Sequence, residues 1–322
     1  MSEKLVTVFG GSGFVGRHLV RRLAKDGYRI RVAVRRPAEG YILYPMGDVG
    51  QIAVLKCDIR DQAQVAAAVA QADAVINLVG ILRQGGGQTF DGVHVEGAKT
   101  IATAAAAAGV KRLVQMSAIG ADAEAPSHYA RSKAAGEAQV REAFANATIL
   151  RPSIIFGPED GFFNRFAALM RLSRFVFPLF GGGVTRFQPV YVADVAHAVA
   201  NALKDRAALA RTYELGGPGI YTFKELLQFI ARVTERKPGF IPIPFWMLDA
   251  GALLTGWFPG APITYDEAKL LRADNVAKAG GDANGVGTLA DLAVLPTAVE
   301  AVVPSYLWAY RPSGQYAESR GT

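Results

Sequence analysis

The chain has 322 residues, 51% of them hydrophobic and 20% charged, enough apolar material for one large or two ordinary domains and too much for a disordered chain. A single cysteine, Cys57, excludes a disulfide framework and fits a reducing compartment, and the four scattered histidines (His18, His94, His128, His197) show no metal-ligand spacing. The net charge of +7 is already reached within residues 1–36, where nine Lys and Arg meet only Glu3 and Asp26, so residues 37–322 sum to zero. Nucleic-acid binders spread their cations along a groove and interleave aromatics, so no nucleic-acid partner is expected.

Apolar strand pattern begins at Leu5, which leaves no room for a signal peptide ahead of it. No apolar run of 18 residues is free of both charge and proline, so no spanning helix is expected. Six short apolar runs read as strands: Leu5–Phe9, Arg29–Val34, Ile52–Lys56, Ala74–Leu78, Leu113–Ser117 and Thr148–Leu150. Helical patterns lie between them at Phe14–Asp26, Gln62–Gln71, Phe90–Ala108 and Tyr129–Phe144, with Gly27 and Gly109 at C-cap positions. This alternation predicts an α/β fold with a Rossmann-type, doubly wound parallel sheet. Beyond Arg151-Pro152 the rhythm loosens into an excursion over residues 158–183. Phe187–Val192 then reads as a strand, followed by a helix Val195–Leu203 capped by Asp194. Prolines cluster after about Gly216. The predicted division is a nucleotide-binding domain over 1–216 and a smaller C-terminal α/β domain over 217–322 for substrate or partner.

The first strand runs directly into Gly10-Gly11-Ser12-Gly13-Phe14-Val15-Gly16. Glycines at 10, 13 and 16 let the backbone turn tightly and approach a diphosphate, while the helix that follows supplies N–H donors and positive potential. Placed after a strand and opening a helix, the motif signals a dinucleotide site. An acidic residue at the end of the second strand would hold the ribose 2′-hydroxyl of NAD. Here the strand ends in Arg35-Arg36, which favours the 2′-phosphate of NADP(H), unless the pair is simply a solvated loop. Asp58, after the third strand, has the chemistry to accept from the adenine amino group. Asp61 reads as the N-cap of the next helix.

Tyr129-Ala130-Arg131-Ser132-Lys133 places a phenol and an ammonium one turn apart on a helix between the fifth and sixth strands. A phenol needs such a cation to act as a base near neutrality. Ser117, at the C-terminal end of the fifth strand, is the candidate to hold the substrate oxygen. A second match, Tyr265 with Lys269, follows no such strand and reads as helix surface.

Together these residues resemble the extended short-chain dehydrogenase/reductase superfamily over residues 4–215. They look most like its atypical branch that contains the nucleotide-binding accessory subunit of respiratory complex I (NADH:quinone oxidoreductase). The stretches that carry the resemblance are Val6–Gly16, Ile76–Gly80, Phe156–Asp160 with Phe162-Phe163-Asn164, Phe187–Val192 and Pro304–Trp308. The resemblance implies a tightly held NADPH touched also by Ile59, Leu78, Val79, Gly80 and Pro152, and complex I subunits as partners. It also implies a peripheral place on the cytoplasmic side of the inner or cytoplasmic membrane. Asn77-Leu78-Val79-Gly80 and His94 depart from the wider superfamily on the proton-relay side of the site. The alternative is a free-standing NADPH-dependent reductase or epimerase that uses Tyr129, Lys133 and Ser117 on an apolar carbonyl or a quinone- or isoprenoid-like substrate. From Pro238 to Tyr265 the only charge is Asp249, and prolines confine any helix to about 245–258. Residues 240–260 are therefore expected to meet an anionic membrane surface or a partner, or to be core of the second domain.

Overall fold

The computed structural model describes residues 4–173, 175–249, 264–278 and 285–312. The chain divides into two compact units, Met1–Pro152 with Val192–Leu215 and Ala277–Leu295, and Ser153–Tyr191 with Gly216–Val276 and Pro296–Thr322.

The first unit is built on β1 (Leu5–Phe9), β2 (Arg29–Val34), β3 (Ile52–Lys56), β4 (Ala74–Asn77), β5 (Arg112–Met116), β6 (Thr148–Pro152) and β11 (Thr212–Leu215). All seven are parallel, in the order β11-β6-β5-β4-β1-β2-β3. The order reverses at β1, which lies between β4 and β2, so the carboxyl ends of β1 and β4 open the crevice where such sheets bind ligands. Helices α1 (Phe14–Lys25) and α6 (Val192–Lys204) pack on each other, while α2 (Gln62–Val69), α3 (Gly97–Ala107) and α4 (His128–Ala143) form a second packed set. The expected Rossmann-type sheet is present. Asp61 caps α2 by accepting from the Gln64 N–H, and Gly27 and Gly109 end their helices at positive φ. Residues 277, 278 and 285–295, which lie inside the stretch expected as a second domain, pack with this unit. Glu214 N–H donates to the Gly287 carbonyl, and Gly287 N–H to that of Thr212, both at 2.9 Å.

Two local expectations change. The helix after β4 opens as a π-helical turn, Asp91–Glu96, before α3. Asp194 is not an N-cap: α6 begins directly after a strand at Val192, so Asp194 lies within its first turn, where a carboxylate still complements the helix dipole.

The second unit holds three two-stranded pairs, β7 (Ile155–Phe156) with β10 (Val190–Tyr191), β9 (Arg186–Phe187) with β12 (Tyr221–Thr222), and β8 (Val176–Phe180) with β13 (Gly239–Ile243). The single strand expected over 187–192 is divided between β9 and β10, with Pro189, which has no N–H to give a ladder, in the break. Around α5 (Phe163–Leu172) and α7 (Phe223–Val233) an aromatic core gathers Phe156, Phe163, Phe166, Phe177, Phe187 and Phe223. The Asp160 carboxylate accepts from the N–H groups of Phe162 and Asn164 and from the Tyr306 hydroxyl at 2.5 Å, tying Pro304–Leu307 to this core.

In the first unit, α4 approaches the π-helical turn so closely that a Cβ on Gly136 would lie 2.0 Å from the His94 carbonyl oxygen. Gly136→Ala is expected to force the two apart and lower stability by about 1–3 kcal/mol or more, read as a lower urea midpoint.

Candidate functional site

The glycine turn is dictated by close contacts. Gly10 adopts φ +77, and a Cβ there would lie 3.3 Å from the backbone N and Cγ2 of Val79, at the end of β4. A Cβ on Gly16 would lie 2.5 Å from the carbonyl oxygens of both Gly10 and Gly11, so only glycine lets α1 start this close to the turn. Gly13 is the N-cap of α1, with no side-chain cap and no acidic residue in the first turn. The leading N–H groups of Phe14, Val15 and Gly16 therefore lack intrahelical acceptors and carry the positive end of the helix dipole, beside half-buried Ser12. That donor set fits a diphosphate.

Arg35 and Arg36 are exposed at the carboxyl end of β2, and Arg36 pairs with Glu39 at 2.7 Å. Asp58 is not a free acceptor. Arg60 donates to it through Nε (3.0 Å), Nη2 (2.7 Å) and the backbone N–H (3.0 Å). The Arg60 hydrogen bonds, with a smaller contribution from Arg35, hold its carboxyl at about 2. Arg60 Nη1 also reaches the Gly87 carbonyl at 2.8 Å, so an ion pair forms this rim of the crevice. Ile59 is buried, and a Cβ on Gly97 would meet its Cδ1 at 2.4 Å, so its side chain serves the packing of α3. Leu78 and Val79 are half-buried and Gly80 is exposed beyond β4, while the Pro152 carbonyl accepts from the Ile119 N–H.

Tyr129, Lys133 and Glu137 follow one another at i, i+4 and i+8 on a single face of α4. Lys133 is buried, its Nζ lies 5.8 Å from the Tyr129 ring centroid, and a Cβ on Gly80 would come within 3.1 Å of that Nζ. Burial lowers the Lys133 ammonium to about 8 and raises the half-buried Tyr129 phenol to about 12, so near neutrality the pair is a phenol beside a cation. Ser117 does not take the place expected of it. Its buried hydroxyl donates to Glu137 Oε1 at 2.5 Å, and the following residue, Ala118, is half-buried with no polar side chain to offer. Glu137 also accepts from Arg151 Nε (2.8 Å) and Nη2 (2.7 Å), and Arg151 Nη1 stands 3.7 Å from Glu214. Sequence reasoning does not single out Glu137. Extending the i+4 spacing from Tyr129 and Lys133 by one more turn is the signal that finds it.

His94 is buried and its tautomer is dictated by its neighbours. Nε2 accepts from the Ile81 N–H at 3.0 Å, so the proton sits on Nδ1, which bonds Ser132 Oγ at 2.9 Å. Ser132 Oγ in turn donates to the Tyr129 carbonyl at 2.8 Å. His94 thus joins the loop after β4 to the first turn of α4 and meets the Tyr129 ring edge-on. Burial, reinforced by the Lys133 charge, drives its imidazole down to about 3. The other tyrosine–lysine pair lies in the second unit, on the short helix Tyr265–Leu270, where Tyr265 is exposed under the Lys269 ammonium.

Residues 6–216 match the model of the NAD dependent epimerase/dehydratase family. The chain belongs to that family. It is 39% identical over 248 residues to the Arabidopsis thaliana protein named NADH dehydrogenase [ubiquinone] 1 alpha subcomplex subunit 9, mitochondrial, with 76% of this chain and 61% of that protein aligned. The Mus musculus protein of the same name is 36% identical over 303 residues, which cover 93% of this chain and 78% of the relative. A Caulobacter vibrioides protein named ceramide reductase is 33% identical over 79% of this chain and 78% of its own. Among solved structures, a dTDP-glucose 4,6-dehydratase from Streptomyces venezuelae shares the fold at 19% identity and a TM-score of 0.69, with 98% of each chain covered.

Two outcomes are expected here. As pH falls below 6.5 the unfolded chain protonates His94 and the folded chain does not until about 3, so stability is lost on acidification. His94→Gln keeps a donor and an acceptor without the charge. Denaturant titrations from pH 7 to 4 should show wild type losing about 1.4 kcal/mol per pH unit relative to that variant. Glu137→Leu strips Arg151 of its nearest carboxylate and should cost about 3–5 kcal/mol, with much of the loss recovered in the Glu137→Leu, Arg151→Met double variant in a double-mutant cycle.

Proposed function

We propose that the first unit holds NADPH as a long-lived structural ligand and that the chain is an accessory component of a membrane-bound NADH dehydrogenase assembly. When bound, the nucleotide supplies a nicotinamide able to carry hydride. In this reading the α1 N-terminus binds the diphosphate, Arg35 and Arg36 hold the 2′-phosphate, and Ile59, Leu78, Val79, Gly80 and Pro152 line the path of the dinucleotide. Lys133 lies at the nicotinamide end.

The observation that carries the structural role is the fate of the Ser117 hydroxyl, which is spent on buried Glu137 rather than kept for a substrate oxygen. The names of the relatives from plant and mouse, NADH dehydrogenase subunits of mitochondria, support the assembly, for which a peripheral place on the cytoplasmic side of the inner or cytoplasmic membrane is proposed. Among the described residues no helix is long and apolar enough to cross a membrane. The exposed side chains of Trp246 and Met247, on the helical residues 245–249, support contact of the 240–260 segment with an anionic membrane surface or a subunit buried in it. Residues 250–263 of that segment lie outside the described residues.

The second reading, an NADPH-dependent reductase of an apolar carbonyl, is favoured by the Tyr129–Lys133 pair and by the likeness to the ceramide reductase. Tyr129 would then donate its phenolic proton to the carbonyl oxygen, with Lys133 stabilising the phenolate left behind.

The purified full chain is expected to carry close to one NADPH per molecule by chromatography of the released nucleotide. Arg35→Ala with Arg36→Ala should weaken NADPH binding about tenfold to a hundredfold and leave NADH binding nearly unchanged, as loss of charged hydrogen bonds to a phosphate predicts. Gly13→Asp places a favourable helix cap and a negative charge where the diphosphate sits, so the nucleotide should be lost without loss of the fold. If Tyr129→Phe leaves assembly and growth unchanged while Gly13→Asp abolishes both, the nucleotide is structural. If Tyr129→Phe alone abolishes function, the reductase reading replaces it.

A further inference from the structure

Among the cations of the first unit that form no ion pair are four on the α1–β2 stretch, three of them far from the crevice. Arg22 and Lys204 share Asp26, and Arg36 is paired with Glu39, but Arg21, Lys25, Arg29 and Arg35 form no ion pair among the described residues. Arg35 stands at the carboxyl end of β2, beside the crevice. Lys25 closes the C-terminal end of α1 and Arg29 opens β2, so both lie at the opposite end of the sheet, about 18 Å along the helix from the glycine turn, with Arg21 one turn before Lys25. Arg21, Lys25 and Arg29 are exposed, and no diphosphate at the α1 N-terminus accounts for them.

The same edge carries exposed apolar groups. Between β2 and β3 the 3-10 helix Pro37–Met46 packs on α1 and on the edge strand β3. It is anchored by fully buried Leu43 and by Gly40, where a Cβ would meet Val54 Cγ1 at 2.7 Å, and it turns Tyr41, Ile42 and Tyr44 outward with the two rings stacked at 5.9 Å. The turn that follows is fastened to the basic end of α1, because Gln51 Nε2 donates to the carbonyls of Ala24 (2.8 Å) and Tyr28 (3.0 Å). Val49, at the tip of that turn, is fully exposed, and the one acid beside it is Asp48. Rigid tyrosines, an extruded valine and free guanidinium groups are the composition of a protein-docking face, and anchoring of the segment reduces the ordering cost of binding.

We infer that this edge, formed by the C-terminal end of α1, the 3-10 helix and the 48–50 turn, docks an acidic surface of a neighbouring protein subunit. The inference rests on the assembly reading above and names the face and the chemistry of the partner. Three cations with no internal acid set the sign of that partner. Arginine in two of the three positions suits bidentate carboxylate recognition better than the diffuse attraction of a lipid headgroup layer.

The test uses the full chain in its own cells, with membrane complexes separated on native gels and stained for NADH dehydrogenase activity. Wild type is expected to migrate with that activity. Arg21→Glu, Lys25→Glu and Arg29→Glu together, and separately Val49→Asp on the exposed turn, should reduce the co-migrating fraction at least tenfold while bound nucleotide stays at the wild-type level. A photo-crosslinker placed at Val49 should capture an acid-rich stretch of another subunit of the complex. Undiminished co-migration of both variants overturns the docking face and leaves the assembly reading standing. Crosslinking to lipid or to a second copy of the chain also overturns it. Absence of wild type from the complex overturns the assembly reading, and this inference with it.

Discussion

A carboxylate withdrawn from water between two cations organises the centre of the first unit. Glu137 is buried on α4 and takes both a bidentate grip from Arg151 on β6 and the hydroxyl of Ser117 after β5. Arg151 leans in turn toward Glu214 on β11, so one charge chain crosses from a helix over three adjacent strands. Burying these ions is costly, and the geometry offsets that cost because both Glu137 oxygens accept hydrogen bonds from Arg151, one of them also from Ser117. The orientation of α4 follows, and with it the placement of Lys133 and Tyr129 one and two turns up the same face.

The other end of α4 is held by neutral hydrogen bonds. His94, with both ring nitrogens engaged, links the Ile81 N–H to Ser132 and so to the backbone of Tyr129. Gly136 removes the side chain that would keep the π-helical turn away. With a charged lysine near it, a neutral imidazole is the only form that both fits and costs little. Tyr129 therefore sits in an apolar, aromatic setting with Phe90 and His94, which favours the protonated phenol.

The basic character of the chain divides along the length of a single helix and strand. At the carboxyl ends of the sheet, Arg35 and Arg36 stand exposed beside the crevice. At the amino ends, Arg21, Lys25 and Arg29 are exposed, on the side of the sheet where the 48–50 turn is fastened to α1. One stretch of 36 residues thus presents cations at two surfaces about a helix length apart.

The parallel sheet, its helices, the glycine turn and the tyrosine–lysine pair were all legible in the order of residues, because each rests on short-range causes: backbone freedom at Gly10 and Gly16, apolar runs of strand length, and helical periodicity. The partners of polar side chains were not legible. Ser117 sits at the right strand end for a catalytic hydroxyl, yet its direction is decided by Glu137, twenty positions later, and Asp58 by Arg60. The return of residues 285–295 to the sheet, the π-helical turn and the internal position of Asp194 were likewise settled by contacts between distant segments. Local sequence determines which conformations the backbone can afford, whereas a buried polar group must be satisfied by whatever the completed fold brings within hydrogen-bond reach.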